Sequence, residues 1–402
     1  MKVGVSLFAN NGPDVDRFAA LEAGQGEPIG DGVDNQVWEE ELRFGDLVEP
    51  LGFDSIWTVE HHFSPYTMIC DPLQWLTYWA ARTDKVDLGT MVIVLPWHNP
   101  VRVAEEIVML QHMMGDNRQL ICGFGRGAGR REYGGIGADM NKTRELFEES
   151  VYIIKGLIGN ERFAFQSDVF KVPNVEMRPE SPDLSIRPRP RNSQALIDNF
   201  HIAWGSPQTV AITANLGLKP LIIPQRGMVD YVAELQEFNG IRMNNGFEPA
   251  NCGVHLHIMC TETEAEAEAM MPYELSFGHS AMVNYEFGSS HFSSLKGYEH
   301  YAQMQERMKE MAEQAAAAGQ PQGSVPFTFP LNPGTPDQIM RGIEEVCDYV
   351  HPNHLLGVFK FGGMPFEVAE KSMRLFAKEC LPALQEMKVL DPIVGDAGVA
   401  AT

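Results

Sequence analysis

The chain has 402 residues and carries 31 Lys+Arg against 54 Asp+Glu, a formal net charge of −23. So acidic a surface repels phosphate backbones and anionic lipid, which argues against nucleic acid and against the membrane surface. Hydrophobic residues make up 44% of the sequence, too many for a disordered chain. No apolar run approaches the roughly 18 residues of a membrane span, and the N-terminus lacks a basic-then-apolar signal.

In chain order, Lys2–Phe8 is a short apolar run that reads as a buried strand, followed by a Gly- and Asp-rich loop to about Asn35. Apolar residues then recur at three and four positions from Val37 to Leu51, a helical period that Gly52 ends. Phe53–Val59 is a second strand, running into Glu60, His61, His62 and Phe63. Helix 71–82, strand 86–95, helix 101–115 and strand 119–124 follow, and the last opens into a glycine-rich turn. A strongly amphipathic helix spans 141–157, and 158–199 reads as an irregular connection. Strand, helix and strand resume at 201–204, 206–216 and 218–223. Further strands are expected at 253–260 and 355–361, with helices around 335–349 and 364–387.

About eight apolar strands separated by helices predict an α/β chain with parallel strands covered on both faces. The expectation is a (β/α)8 TIM barrel, with catalytic groups at the carboxyl ends of the strands; an open doubly wound sheet is the alternative. The expected organisation is one barrel domain over residues 1–390, with insertions at about 10–36, 158–199 and 270–330, and a C-terminal tail over 391–402. The six cysteines have no C-x-x-C spacing and mostly apolar neighbours. They read as reduced thiols of a cytoplasmic protein.

Three segments hold candidate chemistry. His61 and His62 stand where a strand becomes a loop, a place for a base or donor near neutral pH; the alternative is a loop histidine bonded to backbone. Gly123, Gly125, Gly127 and Gly129 surround Arg126, and Arg130, Arg131 and Glu132 follow. Glycines bring backbone N–H groups close to an anion and Arg126 adds a bidentate donor, although the pattern equally suits a flexible loop. Ser206, Pro207 and Thr209 lie between a strand and a helix. There Ser206 either caps the helix or joins Thr209 at an N-terminal anion site. His255 and His257 alternate on one strand and share a face. With His61 and His98 they could make a metal site, but strand histidines in a barrel are more often packed side chains, and no metal is expected.

These segments resemble the bacterial luciferase-like flavin monooxygenases, particularly the luciferase α-subunit branch. The resemblance runs from Lys2 to about Met387. It is carried by Gly52–Trp57 leading into Glu60–Phe63, by Gly89–Pro96 with His98–Arg102, by Asn332–Pro336 and by Ser372–Phe376. It implies a (β/α)8 barrel binding FMN as FMNH2 at its carboxyl face, and reaction with O2 through a flavin hydroperoxide to oxygenate a small, largely apolar organic substrate. The family's catalytic histidine falls on His61, with His62 to orient it. The flavin-phosphate residues fall on Arg126, Ser206 and Thr209. A non-proline cis peptide beneath the flavin falls at Met91–Val92, and Glu132 is placed near the cofactor.

Two departures stand out. The reactive cysteine of luciferase corresponds to Gly125 here, and an acidic residue of its phosphate site corresponds to Gly205. The resemblance thins over 10–36 and 270–330, so light emission and an aldehyde substrate do not carry over, and segments 10–36 and 270–300 are candidate lids. No nicotinamide fingerprint follows the first strand, so a separate NAD(P)H:flavin reductase is the expected partner, and a homodimer the expected assembly. The competing readings are a deazaflavin-dependent oxidoreductase on the same barrel and a non-catalytic flavin-binding subunit.

Overall fold

A computed structural model describes residues 1–204, 208–286, 290–296, 298, 302 and 331–395. The first half of the chain runs β1 (Lys2–Leu7), α1 (Val15–Glu22), α2 (Asn35–Gly45), β2 (Ser55–Thr58), α3 (Pro72–Arg82), β3 (Asp87–Val94), α4 (Pro100–Met114) and β4 (Leu120–Gly125). Next come α5 (Arg130–Ile136), α6 (Thr143–Gly159), the short strands β5 (Phe165–Gln166) and β6 (Lys171–Val172), and α7 (Ser193–Asp198). The remainder is β7 (Phe200–Trp204), α8 (Gln208–Asn215), β8 (Lys219–Ile222), α9 (Val229–Asn244), β9 (Gly253–His257) and α10 (Glu264–Tyr285). It closes with α11 (Pro336–Val350), β10 (His354–Val358), α12 (Phe366–Glu379) and α13 (Leu381–Glu386).

Eight strands close into a barrel in the order β1-β10-β9-β8-β7-β4-β3-β2, every neighbouring pair parallel. The (β/α)8 expectation is therefore the fold observed. Seven of the eight residues of β3 are buried, as a strand between helices and a filled interior requires. No described helix is long and apolar enough to cross a membrane.

The interior is packed, not hollow. Trp57, Met91, Ile121, Leu221 and Leu356 form its central cluster, with half-buried Val92 and Ala203 against it near the carboxyl ends of β3 and β7. Trp57 fits because register sets it opposite Gly89. A methyl group there would stand 2.4 Å from the indole ring. The indole N–H is satisfied by Ser55 Oγ at 2.8 Å.

Several segments differ from the sequence expectation. The first half of the 10–36 loop is helical: Gly and Asp signalled a turn, but Val15, Phe18 and Leu21 recur at helical spacing, and Arg17 pairs with Asp14 one turn back. The 158–199 connection contains the β5–β6 hairpin and α7. Helix α9, unassigned from sequence, buries Tyr231, Leu235, Phe238 and Arg242 at spacings of three and four, a stripe diluted by polar residues between. Helix α10 opens the 270–330 segment; residues 303–330 lie outside the described residues.

Replacing Gly89 by Ala should cost roughly 1–3 kcal/mol by overpacking the interior against Trp57. A urea titration followed by tryptophan fluorescence should show a lower midpoint than the wild type.

Candidate active site at the barrel mouth

The carboxyl ends of β2, β3, β4 and β7 are consecutive around the barrel, and most of the candidate residues sit on them. After β2, His61 turns its Nδ1 to Glu132 Oε1 at 2.8 Å, and the backbone N–H of His62 donates to the same oxygen at 3.0 Å. A carboxylate only accepts, so Nδ1 carries the proton and Nε2 keeps its lone pair. Glu132 has no solvent exposure, whereas the His61 side chain is 14% exposed.

The ring of His62 faces away from His61. Its Nε2 lies 3.3 Å from Glu60 Oε1, and its ring is set nearly perpendicular to that of Trp97 at 5.2 Å. Glu60 also takes the N–H of Val94 at 2.6 Å and His98 Nε2 at 2.6 Å. Burial opposes ionisation of Glu60, but the bonds from His62, His98 and Val94 outweigh it and hold the carboxyl below its ordinary range. Burial likewise opposes charging of His98, and its bond to Glu60 prevails and raises it. The resulting ion pair ties the loop after β2 to the loop after β3.

The glycine loop after β4 is explained by what its glycines touch. A Cβ on Gly125 would lie 2.4 Å from Val92 Cγ2. Gly127, at φ +69°, would press on Val94 and Trp97. At Gly129 a Cβ would stand 2.0 Å from Glu132 Oε2. Gly129 is the N-cap of α5 and Glu132 sits in its first turn, where the helix dipole favours a carboxylate. The glycines thus make room for the mouth of β3 and for the partner of His61.

Arg126 is half-buried, its carbonyl takes the Tyr133 hydroxyl, and its guanidinium lies 5.4 Å from the centre of the Tyr298 ring. Burial raises the Glu148 carboxyl while Arg144 and Arg126 oppose that shift, so a second arginine shares this corner. Sequence reasoning passed over Arg144, because one arginine in the first turn of an amphipathic helix reads as a solvated residue. Thr209 is buried in the first turn of α8; Gly205, Ser206 and Pro207 lie outside the described residues. The Met91–Val92 peptide is cis. Here β3 shifts register against β4, and Gly123 and Gly125 keep side chains off the intervening surface. A planar cofactor with an anionic tail fits these residues, with Val92 and Ala203 as an apolar floor, Arg126 at one edge and His61 on the strand beyond.

Phe8, Tyr66, Phe277 and Phe361 pack on one another as a continuous aromatic wall. His255 stacks on Phe8 at 5.5 Å, and His257 packs between Phe277 and Phe361 at 4.8 and 4.6 Å. Burial drives both imidazoles toward the neutral form, His255 to about 4. Among the described residues no group of three or more His, Cys, Asp or Glu is arranged to hold a metal ion.

Phe277 belongs to α10, which packs against α1 and α5 and turns Met270, Glu274, Phe277, Ala281 and Asn284 inward. Its last residue, Tyr285, reaches His61: the hydroxyl is 3.2 Å from Nε2. No sequence motif pointed to Tyr285, which stands 224 residues from its partner.

The sequence profile of the luciferase-like monooxygenases matches residues 1–350. The chain belongs to the luciferase-like monooxygenase family. The alkanal monooxygenase alpha chain of Photorhabdus luminescens is 24% identical over 353 residues, covering 86% of this chain and 91% of that protein. Among solved structures, the oxygenating constituent of 3,6-diketocamphane monooxygenase from Pseudomonas putida, in complex with FMN, superposes with a TM-score of 0.65 at 17% identity, covering 98% of this chain and 99% of the other. An F420-dependent secondary alcohol dehydrogenase superposes at 0.62 with 14% identity, covering 95% and 98%. These two likenesses concern the fold.

Glu274 yields a test of the α10 seating. Burial pushes its carboxyl up from 4.5 to about 7. From about 4.5 to about 7 the unfolded chain gives up this proton while the folded chain keeps it, so this group costs stability as pH rises through that window. Glu274→Gln should remove that slope. Melting temperatures of the two proteins should converge near pH 4.5 and separate, with the variant the more stable, toward pH 7.

Proposed function

We propose that this protein is the oxygenating component of a two-component flavin-dependent monooxygenase. It takes FMNH2 from a separate NAD(P)H:flavin reductase in the cytoplasm and works as a homodimer of single barrels spanning 1–390 with a 391–402 tail. The observation that carries this reading is the His61–Glu132 pair beside a half-buried apolar floor, with Arg126 at the next strand end but one. Bound reduced flavin supplies the two electrons with which one atom of O2 enters the substrate and the other leaves as water.

The chain's own residues do the rest. Arg126, Thr209 and Ser206 hold the phosphate, for which a guanidinium and a helix N-terminus are suited donors; Arg144 adds charge to the same corner. Met91, Val92 and Gly125 would make up the surface that receives the flavin. Glu132 fixes the His61 tautomer, so the proton needed by the reacting oxygen or the substrate is given or taken at Nε2. His62 contributes its backbone N–H to Glu132 and its ring to the Glu60 pair, a brace for His61. The aromatic wall and the neutral His255 and His257 suit a small, flat, largely apolar substrate. They also keep water away from the reacting oxygen.

Three measurements test the reading. Anaerobic titration with reduced FMN and with reduced F420 should show binding of FMN, and tight binding of the deazaflavin alone would overturn it. Arg126→Ala should weaken FMN at least tenfold while leaving riboflavin, which has no phosphate, almost unchanged. With reduced FMN supplied, His61→Ala should retain flavin binding and lose substrate-dependent oxygen consumption by about 100-fold or more, the usual worth of a general acid–base group. An unchanged rate would remove His61 from the mechanism.

A further inference from the structure

The end of α10 is fastened to the two segments that carry His61 and Glu132. Ser64, three residues beyond His61, donates its hydroxyl to Asn284 Oδ1 at 2.6 Å. Arg130 pairs with Glu286 at 3.0 Å, and Arg131 donates to the Asn284 carbonyl at 3.3 Å. Those arginines immediately precede Glu132 and are anchored in turn, Arg131 to Glu22 at 2.9 Å and over the ring of Phe18. Between these fastenings lies Tyr285, its hydroxyl at His61 Nε2 and its ring set edge-to-face against His61 and Tyr66.

We propose that Tyr285 is a positioning residue for His61, delivered by the seating of α10, so that both ring nitrogens are held only when the helix lies across the mouth. The inference rests on the reading of His61 as the proton-handling group. A bond at Nδ1 alone restrains the imidazole to an arc, and a second bond at Nε2 fixes its plane. In the neutral ring Nε2 has only a lone pair to offer, so the Tyr285 hydroxyl is the donor. The groups facing His61 are Glu132 from α5, Tyr66 from the loop after β2 and Tyr285 from α10; His62 turns its ring to Glu60. A substrate that displaces the Tyr285 hydroxyl inherits its place at Nε2, which couples substrate seating to the orientation of the base.

The test uses the full chain with 15N-labelled imidazole, free of cofactor, read by long-range proton–nitrogen spectra. Tyr285→Phe should move the His61 Nε2 resonance to that of an unbonded ring nitrogen while Nδ1 stays protonated. Arg130→Gln, which frees the helix end without touching Tyr285, should move it part of the way. An Nε2 resonance identical to wild type in both variants would overturn the proposal. With reduced FMN supplied, Tyr285→Phe should consume oxygen about 3–10-fold more slowly at unchanged FMN affinity, the scale of one neutral hydrogen bond. A loss confined to FMN affinity would make Tyr285 a binding residue and also overturn it. If the wild type takes up no flavin yet the nitrogen shift occurs, the flavin reading fails and the positioning role stands.

Discussion

The site depends on one buried carboxylate. Glu132 is sealed from solvent, a position that costs several kcal/mol for a charged group unless it is bonded. It receives the ring of His61 and the backbone of His62, and therefore joins the loop after β2 to the helix after β4 across the strand between them. Glu60 makes the matching connection from β2 to the loop after β3. Three consecutive strand ends are stitched together by two acids, and His61 is oriented as a by-product of that stitching. Removing either acid would strand histidines as well as unpair loops.

Much of the fold was legible because parallel strands buried on both faces must be apolar along their length. The apolar run Val86–Leu95 contains β3, Asp87–Val94, and the run Gln119–Phe124 nearly coincides with β4, Leu120–Gly125. Helices α1 and α9 escaped because their apolar stripes are thin and interrupted, and turn residues nearby spoke louder than the periodicity. The site was legible in part for a different reason. His61, His62 and Arg126 are chemically distinctive residues at strand ends, where a barrel keeps its reactive groups.

Partnership was not legible. The glycines after β4 suggested anion binding, yet their contacts are with Val92, Val94, Trp97 and the Glu132 carboxylate. A glycine announces that space or a backbone angle is needed without saying what fills the space. His62 shares the Glu132 carboxylate with His61 through its backbone N–H while its ring meets Glu60, a division of labour that no spacing in the sequence announces. Tyr285 and Arg144 carry no local pattern at all. Their significance arises only when the chain brings α10 and α6 to the mouth.

Trp57, accommodated by Gly89 and backed by Ile121, Leu221 and Leu356, corks the barrel below the floor. With the barrel axis filled by Trp57, Met91, Ile121, Leu221 and Leu356, the interior is structural support and not a chamber, so any ligand of the strand ends has to rest on the rim formed by the loops.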